Sequence, residues 1–200
     1  MKVFMDTEFT GLHKGTTLIS IGLVAENGKS FYAELTDYDE NQVNGWLQKN
    51  VIDNLILAKD PEYDGYGSSR WNPQTRETNA RGTTEFIKGC VSRWLYNLGD
   101  WVEKVEEVEI WSDCLAYDWV LFNNLYGVAF NAPGIIYYIP FDICTVFKLK
   151  GIDPDISREK FISNSVKGAK HNALYDAKVI KACYEKLMKI EEEKENEKRI

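Results

Sequence analysis

The chain has 200 residues, a formal net charge of −7, and is 44% hydrophobic, 13% aromatic and 28% charged. That supports one domain with a sizeable core and argues against a protein that coats nucleic acid by bulk charge. Cys90, Cys114, Cys144 and Cys183 show no C-x-x-C spacing, which suits reduced thiols and argues against a zinc site or a disulfide framework. No basic-then-apolar signal segment opens the chain, and no run approaches the roughly eighteen apolar residues needed to cross a bilayer, so a soluble, cytoplasmic protein with no membrane partner is expected.

Residues 2–9 read as a strand, and 17–26 as a second, β-branched and nearly continuous in apolarity. Asn27-Gly28 is a hairpin turn signal, and 29–35 is a third strand, giving an antiparallel opening meander. Residues 40–56 carry apolar positions at helical spacing, weakened by Gly45 and Asn50. The polar stretch 59–82 reads as a long loop, and 83–99 as an amphipathic helix. Then come a strand at 105–113, a helix at 117–127 ending at Gly127, and a strand at 133–143 with a short helical or irregular piece after it. From about Asn172 a long helix runs on. Residues 1–190 are expected to form a single domain, and 191–200 a charged helix end or frayed tail.

On the first strand, Asp6 and Glu8 share one face next to an apolar core, where two like charges repel. Asp118 follows the fourth strand; His171 and Asp176 open the last helix. Four carboxylates and one histidine thus come from three distant segments. Hard divalent cations, Mg2+ or Mn2+, take carboxylate oxygens and would offset the repulsion. Two such ions about 4 Å apart can clamp the attacking and leaving oxygens of a phosphodiester. Taken singly, each residue has a plainer explanation: a solvated strand end for Asp6 and Glu8, a helix N-cap for Asp118, a surface or capping residue for His171. Asp142 and Asp113 each read as a cap or strand-end residue, with a supporting charge beside the site left open for Asp113, and His13 reads as solvated in a turn.

The element order resembles the outline of a ribonuclease H-like α/β fold, here with a mixed five-stranded sheet, antiparallel in its first three strands and flanked by helices. Asp6-x-Glu8, Tyr117-Asp118, and His171 with Asp176 resemble the motif set of the DEDDh 3′–5′ exonucleases, and DTEFTGL is similar to that group's Asp-x-Glu-Thr-Thr-Gly-Leu, with Phe9 in place of a Thr. The stretch from DTEF through LISIGLVAENGKSFYAE to WLQKNVIDNL is similar to small bacterial exoribonucleases that prefer polyadenylate.

The resemblance implies 3′–5′ hydrolysis of single-stranded nucleic acid, RNA favoured over DNA, to nucleoside 5′-monophosphates. It implies Asp6, Glu8, Asp118 and Asp176 as ligands of two metal ions, and His171 as the base that takes a proton from the attacking water, with nearby carboxylates raising its pKa. Phe9 and Leu12 would contact the terminal bases; for Phe9 a core position is equally open. The basic residues between Cys144 and Lys170 read either as a nucleic-acid track or as a solvated face. A DNA-specific exonuclease and a catalytically silent binding module stay open, as does a homodimer. His171 argues against a ribonuclease H-type endonuclease.

Overall fold

The computed structural model describes residues 1–63, 67–99 and 104–197, with side chains described through residue 190. Its centre is a mixed sheet whose opening meander is β1 (Lys2–Phe9), β2 (Leu18–Ala25) and β3 (Ser30–Leu35). The Asn27-Gly28 turn joins β2 to β3, with Gly28 at φ 88°. Strand β1 lies between two neighbours: antiparallel β2 places Gly22 opposite Asp6, and β6 (Glu109–Ser112) runs parallel on the other side.

Side chains alternate across the meander with period two. Val3, Met5, Ile21, Leu23, Phe31 and Ala33 point to one face, covered by α2 (Thr84–Tyr96) and α3 (Leu115–Asn124) through Ile87, Val91, Leu95, Leu121 and Phe122. Phe4 points to the other face, against α4 (Ile143–Leu149) and α6 (Ala173–Glu197). Val24 and Tyr32 on that face meet Ala173, Leu174 and Ala177 of α6. Strand β2, apolar on both faces, is buried throughout.

The sheet has seven strands, not five, in the order β4-β5-β3-β2-β1-β6-β7. The two additional strands lie in the 59–82 stretch expected to be a loop: β4 (Ser68–Asn72) and β5 (Glu77–Gly82) form a hairpin, with β5 parallel to β3. Residues 64–66 of that stretch lie outside the described residues. Four of the five β4 residues are exposed and only Ala80 and Gly82 of β5 are buried, so an edge hairpin here carries no apolar alternation to read.

The helix expected over 40–56 is broken into a 3-10 turn at Glu40–Gln42, α1 (Gly45–Asn50) and a second 3-10 turn at Ile52–Asn54. Asn44 caps α1 by accepting from the N–H groups of Trp46 and Leu47. The strand expected at 133–143 pairs in only two places, a bridge between Val108 and Ile136 and the short β7 (Phe141–Asp142). Pro133 and Pro140 supply no N–H to a continuous ladder. Asp142 both ends β7 and caps α4, accepting from Cys144 N–H at 2.8 Å. Helix α6 continues to Glu197; the last three residues of the expected tail lie outside the described residues. No described helix is long and apolar enough to cross a membrane.

Gly22 sets how α6 meets the sheet. A Cβ there would sit 2.2 Å from the Ala173 carbonyl oxygen, so only glycine lets the first residue of α6 rest on β2. Because Gly22 faces Asp6 across the ladder, the close approach brings the N-terminus of α6 beside the carboxylates of β1.

Candidate metal centre

Asp6 and Glu8 share the face of Phe4, on the side covered by α6. Asp176 lies in the first turn of α6, where Asn172 accepts the Tyr175 N–H at 3.1 Å and closes the turn. His171 precedes it with φ 62°, a left-handed conformation costing a non-glycine residue about 1 kcal/mol. That sharp turn is held by its own N–H, which donates to Asp176 Oδ2 at 2.8 Å. It leaves His171 Nδ1 3.9 Å from Glu8 Oε1. The half-exposed ring of Trp46 packs against the imidazole, centroids 5.1 Å apart at 77°.

Asp118 belongs to the first turn of α3 rather than capping it, and is fully buried. Thr7 Oγ1 donates to Asp118 Oδ1 at 2.5 Å, and Ser112 Oγ donates to Oδ2. Both hydroxyls come from strands, Thr7 from β1 and Ser112 from β6, so the two parallel strands fix the carboxylate where they end.

The acidic residues form two groups. Carboxylate oxygens of Asp6, Glu8 and Asp176 lie within 4.8 Å of one another, and so do those of Asp6, Asp113 and Asp118. Asp6 belongs to both. Asp113 is a member that sequence reasoning set aside as a strand-end residue; its position immediately after β6 was the available signal. Arg158 of α5 (Arg158–Phe161) faces it, Nε to Oδ2 at 3.4 Å. Asp6, Glu8, Asp113, Asp176 and Arg158 line a cleft of about 410 Å³ that also includes Lys170 and Glu159, paired at 3.5 Å, while Asp118 lies buried behind it.

Electrostatics follow from burial and crowding. Burial, then the charges of Asp118, Asp176 and Glu8, hold the Asp6 carboxyl well above the usual carboxylate range. Burial, then Asp176 and Asp118, push Glu8 up to about 8. Asp176 and Asp118 are each raised by burial to about 7, opposed by the His171 N–H in one case and by the Ser112 and Thr7 hydroxyls in the other. Burial also raises Asp113, against the pull of Arg158.

His171 moves opposite to the sequence expectation. Burial and then Lys170 hold its imidazole below the ordinary value, with Glu159 pulling the other way. Glu8 is near enough to raise it, but a carboxyl with a pKa of about 8 carries little charge at neutrality.

Phe9 is partly buried, packs against the main core and stacks on Tyr117, centroids 5.4 Å apart at 12°. Leu12 is 71% exposed on the turn after β1. Neither lines the carboxylate cleft.

The donor set fits hard divalent cations. It consists entirely of carboxylate oxygens, burial and then mutual repulsion raise the pKa values of its members, and Asp6 Oδ2 is buried without a hydrogen-bond partner among the described residues. A cation would satisfy that oxygen and ionise its neighbours.

A family model for the 3′–5′ exoribonuclease Rv2179c-like domain matches residues 1–188. The chain belongs to this family. It is similar to the 3′–5′ exoribonuclease Rv2179c of Mycobacterium tuberculosis strain H37Rv, 28% identical over 127 residues, which are 64% of this chain and 62% of the relative. The same figures hold for the 3′–5′ exoribonuclease MT2234.1 of strain CDC 1551. The match thus spans less than two thirds of the length of these relatives. Among solved structures, S. pombe Pop2p in its Mg2+- and Mn2+-bound form superposes with a TM-score of 0.55 at 16% identity, covering 92% of this chain and 81% of that one. At that identity the likeness is one of fold, and the Rv2179c-like chain has the ribonuclease H-like α/β architecture.

Proposed function

We propose that this chain is a 3′–5′ exoribonuclease that shortens single-stranded RNA one nucleotide at a time to nucleoside 5′-monophosphates, with adenylate-rich 3′ ends as the favoured substrate. The observation that carries the reading is Asp6, shared by two carboxylate groups with the His171 imidazole beside one of them. Family membership and the activity named for the relatives support it.

In this reading Asp6, Glu8 and Asp176 hold one Mg2+ or Mn2+ ion, and Asp6 with Asp118 and Asp113 the other. Bound there, the pair supplies Lewis acidity toward the attacking and leaving oxygens of the phosphodiester. Thr7 and Ser112 orient Asp118, and Arg158 braces Asp113. His171, its pKa below the ordinary 6.5, is neutral at physiological pH and accepts the proton of the attacking water. Glu8 and the Trp46 ring confine the imidazole from two sides.

The test uses 5′-labelled single strands of oligo(A), mixed-sequence RNA and DNA, with Mg2+ or Mn2+ and an EDTA control. A ladder shortening from the 3′ end, fastest on oligo(A), is expected. EDTA and Asp6→Ala abolish it, and His171→Ala slows it by about 10²–10⁴-fold. No shortening of any strand with either metal would leave a binding module; faster loss of DNA would reassign the substrate.

A further inference from the structure

A second groove, of about 550 Å³, lies on the other flank of the segment that carries His171. Its walls are residues 53–59, which follow α1, and the start of α6 with the loop before it. Gly168, Ala169 and Asn172 line this groove, whereas Lys170 and His171 line the carboxylate cleft. The two depressions are therefore separated by the width of one chain segment.

The groove is basic on an acidic molecule. Lys59, Lys167 and Lys178 face one carboxylate of its lining, Asp53, while the chain as a whole carries −7. Lys178 is 3.4 Å from Glu77, but Lys59 and Lys167 have no carboxylate partner among the described residues. Among the described residues, the Lys59 ammonium donates to a neutral acceptor, the Asp53 carbonyl oxygen. Exposed Ile56 and the ring of Tyr175 add apolar surface between the charges. The backbone at Gly168 lies directly on that ring: a Cβ there would be 2.2 Å from Tyr175 Cδ2, so the loop carrying Lys167 stays flat against the helix.

We infer that this groove carries the single-stranded RNA upstream of the scissile bond, with Lys59, Lys167 and Lys178 on its phosphates. The inference rests on the proposed exonuclease reading and adds the path of the strand. A cluster of five carboxylates repels a polyanion, and a cationic strip one segment away offsets that repulsion while leaving the cleft acidic. Apolar and aromatic surface between cations suits a single strand held without reading its sequence. The basic run from Cys144 to Lys170 does not act as one track: Arg158 is engaged by Asp113 and Lys170 by Glu159, and Lys167 joins Lys59 and Lys178 instead.

The test compares the native chain with the double variant Lys59→Gln/Lys167→Gln, both exposed side chains. Affinity for a labelled RNA of about ten nucleotides is measured in EDTA over a range of salt. The ratio of KM for that RNA to KM for a dinucleotide, too short to reach the groove, is measured in Mg2+. The expected result is about tenfold weaker binding at low salt, a slope of log K against log salt shallower by about 1.4, and a KM ratio raised about tenfold. Unchanged affinity, slope and ratio would overturn the inference and assign the groove to something other than nucleic acid, as would an equal loss on both substrates. Binding of RNA without cleavage of either substrate would contradict the exonuclease reading, while the affinity comparison still decides the groove. Failure of the native chain to bind RNA would overturn both.

Discussion

Asp118 shows how single side chains build the centre. Both its oxygens accept hydroxyl hydrogens while it is fully buried, so its place is fixed before any cation arrives. Thr7→Val removes one donor and leaves a buried carboxylate underpaired. The expected cost is about 1–3 kcal/mol in a denaturant titration, with Mn2+ affinity lowered alongside. Wild-type stability and affinity in this variant would show that the hydroxyl does not hold Asp118. The raised carboxyl groups give a second prediction. Unfolded, these groups ionise near pH 4, whereas in the folded, metal-free chain Asp118 and Asp176 ionise near 7 and Glu8 near 8. Between those limits the folded state binds more protons, so stability in EDTA falls as pH rises from about 4.5 to 8. Thermal melts across that range test it, and saturating Mn2+ should flatten the fall; a rise in stability with pH would contradict the assigned shifts. Among single residues, Asp6, Glu8, Asp118, His171 and Asp176 were singled out through their resemblance to a motif set, and the fold brings them together. Asp113 was not, since a lone aspartate after a strand carries no spacing signal, and the lowered pKa of His171 comes from burial and then Lys170, which only the fold supplies.

At the scale of elements, the docking of α6 on β2 decides whether the carboxylates meet. Gly22→Ala drives a methyl group into the Ala173 carbonyl. Backbone must yield there, so we expect a loss of about 1–3 kcal/mol by denaturant titration and a further drop in Mn2+ affinity as His171 and Asp176 shift away from Glu8. Native stability and cation binding in this variant would mean that the approach of α6 is not what assembles the site. Strands β1 and β3 and helices α2 and α6 were readable because each buries an apolar face, and β2 because its apolarity is nearly continuous. The β4–β5 hairpin was not, because an edge hairpin buries almost nothing. Helix α1 was over-extended from apolar spacing alone: Leu47, Val51 and Leu55 do share a small core with Ile19, but Gly45 and Asn50 bound a helix of six residues, and a 3-10 turn carries the chain on.

For the whole molecule, the acidic centre is a destabilising feature that the rest of the fold tolerates. Five carboxylates converge where the β1 and β6 ends meet the start of α3 and α6, against apolar cores on both faces of the sheet. The proposed sharing of Asp6 between two cation sites makes a distinct prediction about stoichiometry. The most direct test is a calorimetric titration of the metal-free chain with Mn2+, set beside Asp6→Asn. The account predicts two ions per native chain and the loss of both when the one shared carboxylate is neutralised. A single ion in the native chain, or two ions retained by Asp6→Asn, would contradict it.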